Sequence, residues 1–384
     1  MVRWAAGAAA LGALFGFDVG AAEAAEGTRT ATIAATTTAT VASTATATAA
    51  EPRSWLDDWV AIPIVFYTPE TRLGLGGMII YSFDGPENQG ARRSNLQFRG
   101  FYTMEKQISF YLEPNVWMFG DFVGITGWME WRKYPFKFYG VGNDPDLDVL
   151  DDYTEQVFEA IPQVTFRLHG PLRAGVNAHI LTGEFKSYPA DGLLVGTGAV
   201  GLGDLTAVGF GPTLGWDTRD SNFWPKAGSL VSLDLTVFNT AFGSDYSFTR
   251  FSADLRTYFN PWRDHALALQ GLLRLSDGTV PFFFYPDLGG VRTLRGWYKG
   301  SLRDQHSYAL QAEYRAPIWW RFGLVAFAGV GQVVPNLKDI DPTKLRGSVG
   351  GGIRFRLNDE GVNIRVDFAY GGQFEFYFQV GEAF

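Results

Sequence analysis

Residues 362–370 read V-N-I-R-V-D-F-A-Y. Val362, Ile364, Val366, Phe368 and Tyr370 fall on one side of a period of two, with Asn363, Arg365 and Asp367 on the other. Successive side chains of a β-strand point to opposite faces, so the stretch predicts a strand with one apolar and one wet face. The same split recurs at Val231, Leu233, Leu235 and Val237 against Ser232, Asp234 and Thr236. It recurs again at Tyr308, Leu310, Ala312 and Tyr314 against Gln311, Glu313 and Arg315. In a soluble sandwich such apolar faces would meet one another. Here they are numerous, rich in aromatics and flanked by Trp and Tyr, as expected of a sheet whose outer face meets lipid.

Extended along the chain, the pattern predicts strands at 59–67, 73–83, 94–103, 106–114, 121–133, 155–168, 171–187, 204–217, 228–240, 246–258, 264–276, 305–316, 321–334, 344–356, 361–371 and 374–384. An even number is what bacterial outer-membrane barrels require. With both barrel ends on the periplasmic side, the long connections 135–154, 188–203 and 277–304 fall outside. The turns at Asn260-Pro261 and 358–361 fall inside, and the polar stretch 84–93 is the exception, a long connection among short ones. Past the first residues there is no window of about 18 apolar residues, the length an apolar helix needs to cross a bilayer. Open sheet edges cannot face lipid, so a membrane protein of this sequence has to be a closed antiparallel barrel.

Composition agrees. The chain of 384 residues has no cysteine, 46 glycines, 16% aromatic residues and a net charge of −8. Absent cysteine removes disulfide scaffolds and thiolate metal sites and suits passage through the periplasm. An acidic balance argues against nucleic acid as a partner. Residues 1–24 read as a secretory signal: Arg3, an apolar run over 4–17, and Ala22-Glu23-Ala24 as an A-x-A-like cleavage site. Residues 25–54, almost wholly Ala and Thr, read as a low-complexity linker, leaving 55–384 for the barrel.

One connection stands apart. Residues 288–304 read L-G-G-V-R-T-L-R-G-W-Y-K-G-S-L-R-D, with glycines throughout and aromatics beside Arg295-Gly296. A rigid guanidinium fork on a glycine turn suits insertion into a cavity lined by carboxylates. The segment resembles the V-R-G-F/Y loop of the BamA–TamA superfamily of outer-membrane assembly barrels, the bacterial surface antigens. The resemblance implies that the connection folds back into the lumen with Arg292, Arg295, Gly296 and Trp297 as its motif, and that Arg295 pairs with carboxylates on neighbouring strands. Ala312-Glu313-Tyr314-Arg315-Ala316-Pro317 resembles the next strand of the family, which makes Glu313 the preferred partner. Phe327-Ala328-Gly329-Val330-Gly331 stands where the family has F-x-D-x-G, so Gly329 removes the second carboxylate, and Asp367 or Glu375 is the candidate to replace it.

Two further stretches resemble the same family. Asp217-Thr218-Arg219-Asp220 with Pro225 and Gly228 is similar to its D-T-R-D…P-x-x-G periplasmic turn, in which Asp217, Arg219 and Asp220 cap backbone groups. The segment 374–384, with Phe376, Phe378 and Phe384, resembles an outer-membrane assembly signal. Glu382 interrupts its apolar face and is expected at the membrane rim, where a charge costs little. Relatives carry POTRA modules ahead of the barrel, and 25–54 has no room for one, so the resemblance is expected to cover the barrel alone. It implies an outer-membrane protein contacting lipid and acting in assembly, insertion or translocation of unfolded outer-membrane or secreted clients through a seam between first and last strands. A passive pore or structural surface antigen is the alternative.

No catalytic, cofactor or metal site is expected. Residues 196–201 match G-x-G-x-x-G, but no helix follows. Asp144, Asp146 and Asp148 mimic a calcium loop, yet Val149 occupies the position that needs glycine. His169, His179, His265 and His306 are scattered, with His179 expected in the lumen beside Asn177. Inward charges of the C-terminal half, among them Arg250, Arg256, Arg274, Arg346, Arg354, Arg356 and Arg365, lean basic. They read as a salt-bridge mesh or as a weakly anion-preferring interior.

Overall fold

The computed structural model describes residues 58–87, 93–222, 224–356 and 363–384, without the Ile62 side chain. The leader and the tract expected at 1–54, the turn 358–361 and Val362 lie outside these residues. Sixteen antiparallel strands close into one barrel. In chain order they are β1 (Trp59–Thr68), β2 (Arg72–Phe83), β3 (Ser94–Thr103), β4 (Ile108–Met118), β5 (Val123–Phe138), β6 (Asp151–His169), β7 (Leu172–Lys186), β8 (Gly203–Asp217), β9 (Gly228–Phe238), β10 (Phe248–Phe259) and β11 (Ala266–Gly278). A long connection containing the short pair β12 (Asp287–Leu288) and β13 (Leu302–Arg303) follows. Then come β14 (His306–Trp319), β15 (Phe322–Val334), β16 (Arg346–Arg356), β17 (Asn363–Tyr370) and β18 (Phe374–Val380).

The period of two sets the chemistry of this wall, and it is inverted relative to a soluble protein. On β14 and β17, Glu313, Arg315, Arg365 and Asp367 are fully buried, whereas Leu310 and Tyr370 are each 61% exposed. Leaving a large apolar side chain in water forgoes about 1.5–3 kcal/mol. A continuous outward belt of them therefore calls for lipid. The long connections 139–150, 187–202 and 279–305 leave one end of the barrel (the loop end), and the tight 119–122, 170–171 and 320–321 leave the other (the turn end). Trp262, Trp319 and Trp320 crowd the turn end, exposed as interfacial aromatics are.

Two expectations need correction. The strand expected to stop at 133 continues to Phe138 and pairs with β6 through Phe138↔Asp151. Pro135 reads as a break because it donates nothing to a ladder, but Tyr134 and Phe136 keep the strand packed on either side. The strand expected over 374–384 stops at Val380. Gly381 turns the chain at φ 89°, and residues 381–384 are buried. Glu382 is therefore not at a lipid rim. It faces inward, where Arg354 Nε donates to it at 2.8 Å and Asn363 at 3.0 Å.

Closure is uneven. β1 pairs with β2 over its whole length, from Trp59↔Tyr81 to Thr68↔Arg72, yet among the described residues its ladder with β18 is the single pair Tyr67↔Phe378.

Candidate functional site: a loop anchored in the lumen

The connection 279–305 is held inside the barrel by two anchors of opposite chemistry. Its first half carries the single 3-10 turn Phe282–Phe284, which packs on inward apolar residues of β5 to β10. Phe282 meets Phe138, Tyr153 and Phe185, and Phe284 meets Phe238 and Phe248 with ring centroids 5.1 and 5.0 Å away. Edge and tilted contacts of this kind fill space without a polar partner.

The second half carries Arg295. Its Nη2 donates to Glu313 Oε2 and its Nη1 to Asp367 Oδ2, each at 2.6 Å, and its guanidinium lies 3.4 Å above the Phe327 ring. Burial works against the charge, but Glu313 and Asp367 outweigh it, and the guanidinium is held above its ordinary range. The carboxylates are themselves shared. Arg315 Nε donates to Glu313 at 2.8 Å, and Arg354 Nη1 to Asp367 at 2.6 Å. Arg354 then reaches Glu382, and Arg315 Nη2 donates to the main-chain oxygen of Phe384 at 2.7 Å. The loop at one end and residues 381–384 at the other thus meet one buried ion network.

Backbone contacts fix the loop's register. Gly296, at φ 100°, sits so close to β17 that a Cβ would lie 2.6 Å from the Gly371 nitrogen. Its N–H donates to the Tyr377 hydroxyl on β18 at 3.0 Å. Trp297 Nε1 donates to the Gly347 carbonyl at 2.9 Å, and the Ser348 hydroxyl donates to the Arg295 carbonyl. Gln311 accepts from Leu294 N–H and donates to the Arg292 carbonyl, each at 2.9 Å, so Arg292 takes part through its backbone.

Gly329 does not face the arginine. A Cβ there would come within 3.0 Å of Leu294 and 3.1 Å of Gln311, so the space of the family aspartate is filled by the loop's own leucine. Asp367, two strands further on, is the second carboxylate on Arg295, while Glu375 accepts from Gln373 instead. Sequence reasoning missed Gln311, Ser348 and Tyr377, whose inward positions follow from alternation although their contacts do not. It also missed Glu70, in the turn after β1, which accepts the Lys299 N–H at 3.0 Å.

The other predicted residues lie elsewhere. Asp217 accepts a forked pair from Arg219 at 2.9 and 2.8 Å, and Asp220 accepts the Lys226 and Ala227 N–H groups, closing the turn before β9. Phe376 and Phe378 are outward on β18, whereas Phe384 is buried with Tyr258 and Ala268. An alternating terminal signal does not predict that inward turn. Among the described residues no group of acidic or His side chains is placed to hold a metal ion.

Fold and site together define a sixteen-stranded β-barrel with an arginine-anchored loop inside its lumen. The chain belongs to the Omp85 superfamily, whose domain model matches residues 94–384. Among solved structures it is similar to BamA from Haemophilus ducreyi lacking POTRA domains 1–3, at 14% identity and TM-score 0.58, covering 84% of this chain and 70% of that one. It is also similar to CdiB from Acinetobacter baumannii, at 14% identity and TM-score 0.54, covering 84% of this chain and 59% of that one. CdiB from Escherichia coli matches at 11% identity and TM-score 0.57, covering 86% and 63%. At these identities the likeness concerns the fold, and the chain spans about 60–70% of each of those chains. No curated protein sequence matches.

Proposed function

We propose that this barrel resides in the bacterial outer membrane and passes protein clients into or across it through the β1–β18 seam. One observation carries the reading: the anchored loop touches both sides of the weakest joint in the wall. Gly296 holds Tyr377 on β18, and Lys299 holds Glu70 beside β1. Among the described residues the two strands themselves pair at Tyr67↔Phe378 alone. Unpaired strand edges are templates for another chain's strand, and a nascent outer-membrane strand or a secreted polypeptide has that chemistry. The loop is then the element that sets whether the seam is held or free.

The test is depletion of the protein in its host, following the folded, heat-modifiable fraction of other outer-membrane barrels on semi-native gels. That fraction should fall before growth slows, and Arg295→Ala, itself a folded barrel, should fail to restore it. If folded barrels stay constant through depletion, assembly is not the role. A passive pore would instead show itself as higher planar-bilayer conductance in Arg295→Ala with no effect on other barrels.

A further inference from the structure

Beneath the phenylalanine cap lies a cavity of about 210 Å³ that the anchored loop does not use. Its polar wall comes from Gln163, Asn177, His179, Asp234, Thr236 and Arg250. On β10, Phe248 belongs to the cap and Arg250 is the next inward residue toward the turn end, so the cap closes the loop side and approach is from the turn end.

All but one of these groups have partners within the wall. Asp234 accepts from Thr213 at 2.6 Å, from Ser232 at 3.1 Å and from Gln163 at 3.2 Å. Asn177 donates to the Pro212 and Leu235 carbonyls and accepts from Thr236. His179 Nε2 is 2.7 Å from Glu159, which also binds Arg132. Arg250 differs. Among the described residues no carboxylate or carbonyl reaches its guanidinium, and its contact is the face of Phe284, 5.4 Å away. Arg256 and Arg274, inward arginines of β10 and β11, have Asp254 and Asp287 respectively.

A guanidinium offers five N–H donors in a planar fork, which a carboxylate meets two at a time. Asp234, on the adjacent strand of the same inner face, disfavours a second negative charge, which selects a monoanion over a phosphate dianion. Trp128 and Ile161 supply apolar lining. We infer that this lumen pocket binds a carboxylate carried on a small apolar group, with Arg250 as its anchor. The same chemistry is presented by a free organic acid and by the C-terminal carboxylate of an aromatic-ended peptide.

The probe is 4-fluorobenzoate, followed by ¹⁹F NMR on the barrel folded in detergent, with empty micelles as the blank. Saturable line broadening that unlabelled benzoate reverses and the isosteric neutral benzamide does not is the expected result. Arg250→Gln should weaken that affinity by about tenfold or more, the loss of one charged hydrogen-bonded contact. Ser252→Leu, which fills the cavity without touching the charge, should also abolish binding and covers the case in which Arg250→Gln fails to fold. N-acetylphenylalanine competing below the concentration needed of benzoate assigns the pocket to peptide termini, and the reverse order assigns it to free acids. Broadening unchanged in both variants, equal competition by benzamide, or displacement by inorganic phosphate ahead of benzoate would each overturn the inference.

Discussion

Arg295 belongs to a cluster in which each carboxylate is shared between guanidiniums. Among the described residues Glu313 meets Arg295 and Arg315, and Asp367 meets Arg295, Arg354 and Arg365. Removing one partner of a buried pair costs about 3–5 kcal/mol because the other charge is left uncompensated. Asp367→Asn should cost that much, since it takes a carboxylate from Arg295, Arg354 and Arg365 at once. Arg295→Met should cost clearly less, since Glu313 keeps Arg315 and Asp367 keeps Arg354. Urea unfolding of the barrel in vesicles measures both, and an Arg295→Met loss equal to that of Asp367→Asn would refute the charge argument. Glu313 was legible as a partner because alternation put it on the wet face of the strand after the loop. Asp367 was legible as one of two inward carboxylates able to replace the one missing at Gly329, but that it and not Glu375 meets Arg295 was not, because which inward carboxylate reaches the loop depends on barrel closure.

At the scale of elements, the connection 279–305 is two devices in series. Phe282–Phe284 is held by apolar burial on β5 to β10, and Arg295 to Trp297 by ions and backbone hydrogen bonds on β14 to β18. Phe284→Ala removes a buried ring, a change that costs about 3–5 kcal/mol in well-packed cores. Because the anchors share no side chain, that variant should expose residues 279–286 to limited proteolysis while the Arg295 segment stays protected. Cleavage spreading through 288–300 at the same rate would mean that the two halves release as one. The strands were readable from the period of two, nearly to their ends. Residues 381–384 were not, because the aromatic alternation of β18 runs up to Val380 and the turn that follows rests on one left-handed glycine.

For the whole molecule, the decisive feature is where the wall is thin. Periodicity reveals how many strands there are and which face is wet, but not how far the last one pairs with the first. That pairing is the property on which lateral passage depends. The absence of cysteine makes the seam directly testable. Tyr67 and Phe378 are opposite each other, both on the outward face, and Tyr67 packs on Phe376 at 5.4 Å between ring centroids. Directly opposed residues of an antiparallel pair have Cα atoms about 4.5–5.5 Å apart, within the span a disulfide bridges. Tyr67→Cys with Phe378→Cys should therefore oxidise to a crosslink in an otherwise cysteine-free chain. The oxidised barrel should remain folded and heat-modifiable yet lose its ability to rescue depleted cells, with activity returning on reduction. Val65→Cys with Leu75→Cys, across the fully paired β1–β2 joint, is the matched control and should leave rescue unchanged. If the seam crosslink forms quantitatively and rescue persists, clients do not pass between β1 and β18. The route would then have to run through the lumen, past both anchors of the loop.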